Sequence, residues 1–366
     1  MIVAAVKEKN EFENRVSITP DTCKSYIKAG LDVIIEKNAG YNASFLDSVY
    51  EDSGAKVLDR EQVLQKADIL ISVSTILENS DLEILKNKAV IVGGFNPYEN
   101  SDKIKKTIGK NLSLISLDFL PRISRAQSMD ILSSQANLAG YKAVIEASNI
   151  FKKALPMMMT AAGTIIPAKC LILGAGVAGL QAIATAKRLG CVVSAFDVRP
   201  EVEEQVNSLG AKFVKVEDEV NTKKTETVYA KEMSEDYKKK QLKAIHDVAI
   251  NMDIIISTAL IPGKKAPLLI ESNTIMQMKS GSILIDLASS SGGNIEGSKF
   301  GEKVNINDCI VYAPRNLPSL IAYDASLLFS KNIFNFISNF ITENKTFDIE
   351  AKDELLLKTT LVKNGN

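Results

Sequence analysis

The chain has 366 residues, of which 46% are hydrophobic and 24% charged, and this length and composition favour a globular protein of two domains. Lysine plus arginine and aspartate plus glutamate number 44 each, and this balance argues against a nucleic-acid binder, which would carry a basic excess. Apolar runs stay shorter than the roughly 18 residues of a membrane-spanning helix, and the four scattered cysteines and single histidine predict no metal site.

Residues 1–118 alternate short apolar runs with amphipathic stretches. The apolar runs predict strands at residues 1–6, 31–36, 55–58, 69–73, 89–95 and 112–118. Helices are predicted between them, the first with Thr19 and Pro20 at its start and Gly30 at its end, and later ones at residues 80–86 and 102–108. Strands that alternate with helices indicate a parallel sheet with helical cover.

A polar stretch, PRISRAQSMDILSSQAN, interrupts this alternation at residues 121–137. A helix is predicted only after it, from residue 138 to about residue 153. Entry into a helix needs a single cap, whereas this stretch has two arginines, two glutamines, an aspartate and several serines. We interpret it as a loop that faces a ligand, and the alternative is a loop that only faces solvent.

The next stretch, PMMMTAAG at residues 156–163, is predicted to fill gaps in the core with its methionines. A buried strand follows at residues 170–173, then a glycine-rich turn, a helix at 180–189, a strand at 192–196 and the acidic residue Asp197. This order is the context in which a G-x-G-x-x-G pattern predicts a dinucleotide site. The cofactor-binding candidates there are Gly174, Ala175, Gly176, Val177, Ala178, Gly179, Asp197, Val198 and Arg199.

The residue types of this turn fit the parts of a dinucleotide. Gly174 allows the tight turn, Gly176 lets the pyrophosphate approach the backbone, and Gly179 lets helix and strand pack closely. The phosphates are expected at the helix amino end, while Asp197 would accept hydrogen bonds from ribose hydroxyls and repel a 2′-phosphate. NAD(H) is therefore favoured over NADP(H), although Arg199 could neutralise part of a phosphate charge. The alternative is a turn that only connects strand and helix.

Beyond Asp197 the alternation continues, with a helix at residues 200–209 and strands at 211–216, 253–258, 282–287 and 310–312. Residues 217–240 form a charged excursion that contains Tyr229, and long excursions are often lids. The loops at 259–263 and 288–294 follow strand ends and are expected on the cofactor side. A long helix is predicted at residues 319–341. Cys170 and Cys191 are predicted to be small buried apolar residues, and His246 to have a structural or surface role.

Taken together, these motifs resemble the alanine dehydrogenase/transhydrogenase family, in particular the NAD(H)-binding alpha subunit, domain I, of proton-translocating NAD(P) transhydrogenase. The resemblance covers nearly the whole chain. It is carried by RVSITP at residues 15–20, RISRAQSMDILSSQ at 122–135, the glycine motif with DVRP at 197–200, YAKEM at 229–233, TALIPG at 258–263 and DLA at 286–288. One departure is Ser290, which stands where the family usually has an acidic residue before Gly-Gly-Asn.

The resemblance implies an α/β protein of two Rossmann-like domains with parallel sheets and a cofactor cleft between them. Residues 1–135 with 315–366 would form the first domain, closed by the C-terminal helix, and residues 136–314 the NAD(H)-binding domain. The family's mobile loop matches the segment around Tyr229, which would close over bound NAD(H). Thr258, Ala259 and Leu260 complete the candidate cofactor contacts.

Within the polar stretch, the resemblance implies a catalytic set of Arg122, Gln127, Asp130 and Ser133. Arg122 and Asp130 would form a buried charge pair around the nicotinamide carboxamide, to which Ser133 would hydrogen-bond. Gln127 would reach the nicotinamide ribose and the second nucleotide. The implied reaction is direct hydride transfer between NADH and NADP⁺ on a partner subunit, as in transhydrogenases of the Si-specific/Re-specific type.

The two branches of this family, alanine dehydrogenases and transhydrogenases, differ in whether a proton must move with the hydride. Alanine dehydrogenases move a proton with the hydride and need a histidine and a lysine near the substrate, and residues 69–75 and 91–96 contain neither. Transfer between two nicotinamides needs only their C4 atoms about 3–3.5 Å apart. An alanine dehydrogenase-like amino- or oxo-acid oxidoreductase and a non-catalytic NAD(H)-sensing module remain as alternatives.

The resemblance also implies partners. We expect a homodimer that works with membrane-embedded and NADP(H)-binding transhydrogenase subunits, without nucleic acid or metal. The chain ends at Asn366 with no membrane segment, which matches family members whose membrane part is a separate chain. The expected location is therefore cytoplasmic, on the cytoplasmic face of the inner membrane through these partners.

Overall fold

The computed structural model describes residues 1–74, 77–216, 235–261 and 263–365. Its strands, numbered in chain order, are β1 (Ile2–Ala5), β2 (Asp32–Glu36), β3 (Lys56–Leu58), β4 (Ile69–Ile71), β5 (Val90–Gly93), β6 (Ser113–Ser116), β7 (Met158–Thr160), β8 (Gly163–Ile165), β9 (Lys169–Leu173), β10 (Val192–Phe196), β11 (Lys212–Phe213), β12 (Ile254–Ser257), β13 (Ile283–Asp286), β14 (Lys303–Ile306), β15 (Cys309–Tyr312) and β16 (Thr360–Val362). Its α-helices are α1 (Pro20–Lys28), α2 (Asp47–Asp52), α3 (Arg60–Lys66), α4 (Asn79–Ile84), α5 (Ser101–Lys105), α6 (Ile131–Ile150), α7 (Val177–Arg188), α8 (Glu203–Ser208), α9 (Glu235–Ala249), α10 (Ser272–Gln277), α11 (Ala322–Ser338) and α12 (Glu354–Thr359).

The chain divides into two compact units. The first is Met1–Gln135 with Pro318–Asn366, and the second is Ala136–Leu317. The sheet of the first unit has the order β16-β6-β5-β4-β1-β2-β3, in which all neighbours are parallel except β16, which is antiparallel to β6. Val3 and Ala5 point into one apolar cluster and Ala4 into another, so this sheet is buried on both faces.

The sheet of the second unit has the order β11-β10-β9-β12-β13-β15-β14, with only β14 antiparallel to its neighbour. Cys170 and Ile172 pack on one face, and Leu171 and Leu173 on the other. Counted within each unit, the parallel strands follow the order 3-2-1-4-5-6 of the Rossmann fold. The prediction of two Rossmann-like units is therefore confirmed, with an antiparallel edge strand added to each sheet.

Helix α6 begins at Ile131, although the sequence pattern placed its start at residue 138. The reason is a cap: the Ser133 backbone N–H donates to Oδ1 of Asp130 at 2.9 Å. An acceptor at this position satisfies a helix N–H group that has no intrahelical partner, and so the helix tolerates a polar first turn. Part of the predicted polar loop is therefore helical.

The prediction that the methionine run fills the core is wrong. Strands β7 and β8 pair with each other as a separate two-stranded sheet. Met159 and Ile166 are each 77% exposed, and Met157, Met158 and Ile165 are exposed as well. The apolar side chains of this hairpin, residues 157–166, lie on the surface of the second unit.

The burial predicted for Cys170 and Cys191 is confirmed, while the structural or surface role of His246 stays a prediction. All four cysteines are buried and free of disulfides, and burial raises the pKa of the Cys191 thiol to about 11. His246 is half-buried on α9, and its Nδ1 lies 2.9 Å from the Thr274 hydroxyl. No helix in the described part of the chain is both long and apolar enough to cross a membrane.

Candidate functional site

The glycine-rich turn lies at the carboxyl end of β9, next to β12, where the strand order of the second sheet reverses. Such a point is the usual ligand site of an open parallel sheet. Gly174 has a φ of +92°, a backbone conformation that L side chains rarely adopt. A Cβ on Gly179 would lie 1.8 Å from the Gly174 carbonyl oxygen, so the helix can approach the turn only with glycine there. Local geometry therefore explains both glycines.

Gly176 is different, because nothing in the described part of the chain requires it. Its φ of −77° suits any residue, and a Cβ there would have no heavy atom within 4 Å. Every other described glycine has either a positive φ or an atom within 3 Å of a Cβ built on it. Gly176 is the residue before α7, whose first turn presents unpaired N–H groups and the positive end of the helix dipole. The arrangement leaves room for an anion that approaches this backbone from outside.

Asp197 lies at the end of β10 beside this turn, and its side chain is only 6% exposed. Its Oδ2 accepts the Ala175 backbone N–H at 2.7 Å. Arg199 donates its backbone N–H and Nε to Oδ1 at 2.9 and 3.0 Å, and Nη2 to Oδ2 at 3.0 Å. Its hydrogen bond to Asp197 raises the pKa of the Arg199 guanidinium. These bonds fill the roughly four acceptor positions of a carboxylate, so a ligand hydroxyl would replace a bond from Arg199.

The loop after β12 contacts the turn directly. Thr258 Oγ1 donates to the carbonyl oxygen of Gly174 at 3.1 Å, and a Cβ on Gly174 would lie 2.8 Å from that hydroxyl. Thr258 and Ala259 are half-buried and Leu260 is 52% exposed. The structure thus brings this candidate loop and the glycine turn together. Sequence reasoning missed Asn294, whose side-chain amide hydrogen-bonds the backbone N–H and carbonyl oxygen of Ala259. The signal in the sequence that could have indicated it is the pair of glycines before it.

The polar stretch of the first unit is anchored on one side and exposed on the other. Ala126 and Met129 are buried in the core, while the carbonyl oxygen of Ser128 accepts the side-chain amides of Asn332 and Asn335 on α11. A second tie is the ion pair of Arg125 with Asp353, which holds the pKa of the Asp353 carboxyl below its ordinary value. The loop therefore has a fixed backbone.

The four candidate catalytic residues lie on this anchored segment and on the first turn of α6. Arg122 and Gln127 are exposed and Asp130 is half-buried, and the Arg122–Asp130 charge pair around a nicotinamide stays a prediction. Asp130 and Ser133 are brought together, with Ser133 Oγ donating to Oδ2 at 2.5 Å. This bond and the cap fix the Asp130 carboxylate. Tyr229, which was expected in a lid, lies outside the described residues, as does Pro262 of the loop after β12.

Comparisons with known proteins cover the whole chain. The alanine dehydrogenase/PNT N-terminal domain matches residues 4–139, and the alanine dehydrogenase/PNT C-terminal domain matches residues 143–366. The chain is 45% identical over 369 residues to the first of the chains that make up the NAD(P) transhydrogenase alpha subunit of Rickettsia prowazekii, and the match covers 100% of this chain and 95% of the relative. The corresponding alpha-subunit chain of Rhodospirillum rubrum is 44% identical over 372 residues, with coverage of 100% and 97%. The crystal structure of transhydrogenase from Sinorhizobium meliloti superposes with a TM-score of 0.91 at 40% identity and covers 100% of this chain and 99% of that one.

Proposed function

This chain belongs to the alanine dehydrogenase/transhydrogenase family, and we propose that it is the NAD(H)-binding subunit of a proton-translocating NAD(P) transhydrogenase. In this role it binds NADH, whose hydride passes directly to NADP⁺ on a partner subunit. The full-length match to transhydrogenase alpha subunits supports this branch of the family. The single observation that supports the cofactor assignment is Gly176, where a Cβ would meet no atom of the described residues, so that the backbone is open to a ligand.

The residues of the second unit fit a dinucleotide. The pyrophosphate would meet the backbone at Gly176 and the N–H groups of the first turn of α7. A ribose would hydrogen-bond Asp197, with the Arg199 guanidinium giving up part of its contact. The carboxylate favours NAD(H) because a 2′-phosphate would be repelled there.

The nicotinamide end is assigned to the polar stretch of the first unit. We assign the carboxamide to Asp130 and Ser133, whose mutual hydrogen bond fixes their geometry before the cofactor binds. Arg122 and Gln127 are exposed on the same anchored segment and are assigned to the carboxamide and the ribose. Bound NADH supplies the hydride. No side chain needs to move a proton in this step, and His246, the only histidine, is engaged with Thr274.

The proposed partners follow from the same reaction. A second subunit must hold NADP⁺, and membrane-embedded subunits must carry the proton, which places this chain at the inner membrane through them. We also propose a homodimer, supported by the exposed apolar hairpin of residues 157–166. Clustered exposed apolar side chains are typical of protein–protein contacts.

The test is cyclic transhydrogenation with a separately prepared NADP-binding subunit. We expect hydride exchange between NADH and an acetylpyridine analogue of NAD⁺ only when this chain, the partner and NADP(H) are all present. A mixture that binds NADH but exchanges no hydride would favour the NAD(H)-sensing module. Oxidation of NADH by the chain alone with pyruvate and ammonia would favour an alanine dehydrogenase.

A further inference from the structure

Asn294 is fully buried in the loop after β13, and its side chain hydrogen-bonds the loop after β12 and the end of that strand. Its Oδ1 accepts the Ser257 hydroxyl at 2.7 Å and the Ala259 N–H at 3.2 Å. Its Nδ2 donates to the carbonyl oxygens of Ala259 at 2.9 Å and Pro267 at 2.7 Å. The side-chain amide therefore clamps Ala259 by both of its backbone polar groups.

Asp286 holds Asn294 in turn. Its carboxylate is 0% exposed. Oδ2 accepts the N–H groups of Asn294 and Ile295 at 3.0 and 3.2 Å and the Ser298 hydroxyl at 2.7 Å, while Oδ1 accepts the Ala288 N–H at 2.9 Å. Backbone N–H groups can only donate, so both oxygens act as acceptors. This single carboxylate fixes the backbone of residues 286–298 around itself.

The loop can pass this close to Asp286 only because of a glycine. Gly293 has a φ of +79°, and a Cβ on it would lie 2.8 Å from Asp286 Oδ2 and 2.9 Å from the Ser298 hydroxyl. The contacts of Gly293 and Asn294 thus account for both residue types. The glycine leaves room for the Asp286 carboxylate, and the asparagine side chain reaches the loop after β12.

This network leads to the candidate cofactor site. Ser257 pairs in register with Leu173 on β9 and with Asp286 on β13, so the three loops leave neighbouring strand ends. Thr258 bonds the glycine turn, and Ala259, the next residue, is the one that Asn294 clamps. A change at Asn294 would therefore reach the glycine turn through two residues of backbone.

We propose that Asn294, held by Asp286, is a positioning residue for NAD(H): it sets the backbone of Thr258, Ala259 and Leu260 against the glycine turn without touching the cofactor. The inference rests on the proposed function. Only an amide fits this role, because position 294 must offer two acceptor contacts on one atom and two donor contacts on the other. A carboxylate of the same shape would place an oxygen against two carbonyl oxygens.

The test is Asn294→Asp, with NADH affinity measured by the fluorescence of the nucleotide and unfolding measured by calorimetry. The chain has no tryptophan, so NADH emission is read without energy transfer from tryptophan. We expect NADH binding to weaken about ten-fold or more at a temperature where the variant is folded, because the loop loses two hydrogen bonds.

The matched control is Asp253→Asn, at the opposite end of the same sheet. Asp253, like Asn294, is a buried polar residue whose side chain holds the backbone of another segment. Its carboxylate lies just before β12 and accepts the Lys169 N–H at 2.8 Å. This variant should lower the melting temperature and leave the NADH affinity within about two-fold, because the site is intact. An equal loss of affinity in both variants, or an unchanged affinity in Asn294→Asp, would overturn the inference.

Two further outcomes are informative. If Asn294→Asp does not fold, Ser257→Ala decides, since it removes only one donor to Asn294: weaker NADH binding by about three-fold supports the inference and unchanged binding overturns it. Failure of the unmodified chain to bind NADH would instead overturn the proposed function.

Discussion

Replacing either of two glycines of the same turn by alanine adds one methyl group. We expect the change at one glycine to lower stability and the change at the other to lower NADH affinity. At Gly179 a Cβ would lie 1.8 Å from a backbone oxygen, well inside any real contact, and backbone atoms cannot move aside cheaply. We expect Gly179→Ala to cost about 1–3 kcal/mol or more, as other overpacked sites do. In a unit of this size that lowers the melting temperature by about 3–10 °C.

At Gly176 the same methyl group meets no atom of residues 1–74, 77–216, 235–261 and 263–365 within 4 Å. The only intrinsic cost of Gly176→Ala is a poorer helix cap, worth at most about 1 kcal/mol. A pyrophosphate held against this backbone would meet the new methyl group, and a misfit of about 1–3 kcal/mol corresponds to NADH binding about 5- to 150-fold weaker. Gly176→Ala should therefore lose affinity with little loss of stability.

The two quantities are measured by titration with fluorescent NADH and by calorimetry. Gly281→Ala is a suitable control, because Gly281 has open space around it but a φ of +80° and lies just before β13, at the opposite ends of the strands from the glycine turn. It should lower stability through its backbone alone and leave NADH affinity unchanged. If Gly176→Ala binds NADH as well as the unmodified chain, no phosphate approaches this backbone and the assignment of the site is wrong.

Three other variants test the remaining assignments. Asp130→Asn should reduce hydride transfer with the partner subunit far more than NADH affinity, because Asp130 is assigned to the nicotinamide and the turn at Gly176 to the phosphates; equal losses would contradict this division. Asp197→Asn should narrow the preference for NADH over NADPH, measured as the ratio of dissociation constants, because it removes the repelling charge and releases the Arg199 guanidinium; an unchanged ratio would show that Asp197 does not select the cofactor. Met159→Asp should convert a dimer to a monomer in sedimentation velocity without lowering the melting temperature of the monomer, because Met159 is 77% exposed; an unchanged sedimentation coefficient would place the dimer contact elsewhere.

The parallel strands and the glycine turn could be predicted because they depend on local signals. A strand buried on both faces is a short apolar run, as in Cys170 to Leu173, and the turn between it and α7 needs particular residues at particular positions. The antiparallel edge strands escaped prediction for the opposite reason. Lys303–Ile306 alternates exposed and half-buried residues, but it is only four residues long, and so short an alternation is a weak signal for a strand.

Other features depend on contacts that no local pattern records. The methionines of the hairpin have the composition of a core, and only the fold shows that β7 and β8 pair apart from both large sheets. The start of α6 depends on the cap that Asp130 provides. The sequence alone does not distinguish a carboxylate that caps a helix from one that faces a ligand. Asn294 is an ordinary polar loop residue in sequence, and its role follows from the loops that the strand order brings together.

The two units share one strand order, yet among the described residues the features of a dinucleotide site are found in the second unit, and the difference lies at the strand ends. In the second unit β9 ends at Leu173 and α7 begins at Val177, with a glycine as the cap residue, so the helix amino end meets the strand end with no side chain in the way. In the first unit β1 ends at Ala5 and α1 begins only at Pro20. That helix starts with a residue that has no N–H group, and it is preceded by the buried Thr19.

The chain itself also fills the place where the first unit would hold a ligand. The Glu8 carboxylate, which is 7% exposed, follows β1 and accepts the Val73 N–H at 2.6 Å and the Ser72 hydroxyl at 2.9 Å, at the end of the neighbouring strand β4. A carboxylate there takes up donors that an anionic ligand would need and repels its charge. By the proposed assignment, the same fold binds an anion where glycine leaves the backbone open and excludes it where glutamate occupies the strand ends, and the first unit contributes through its polar loop.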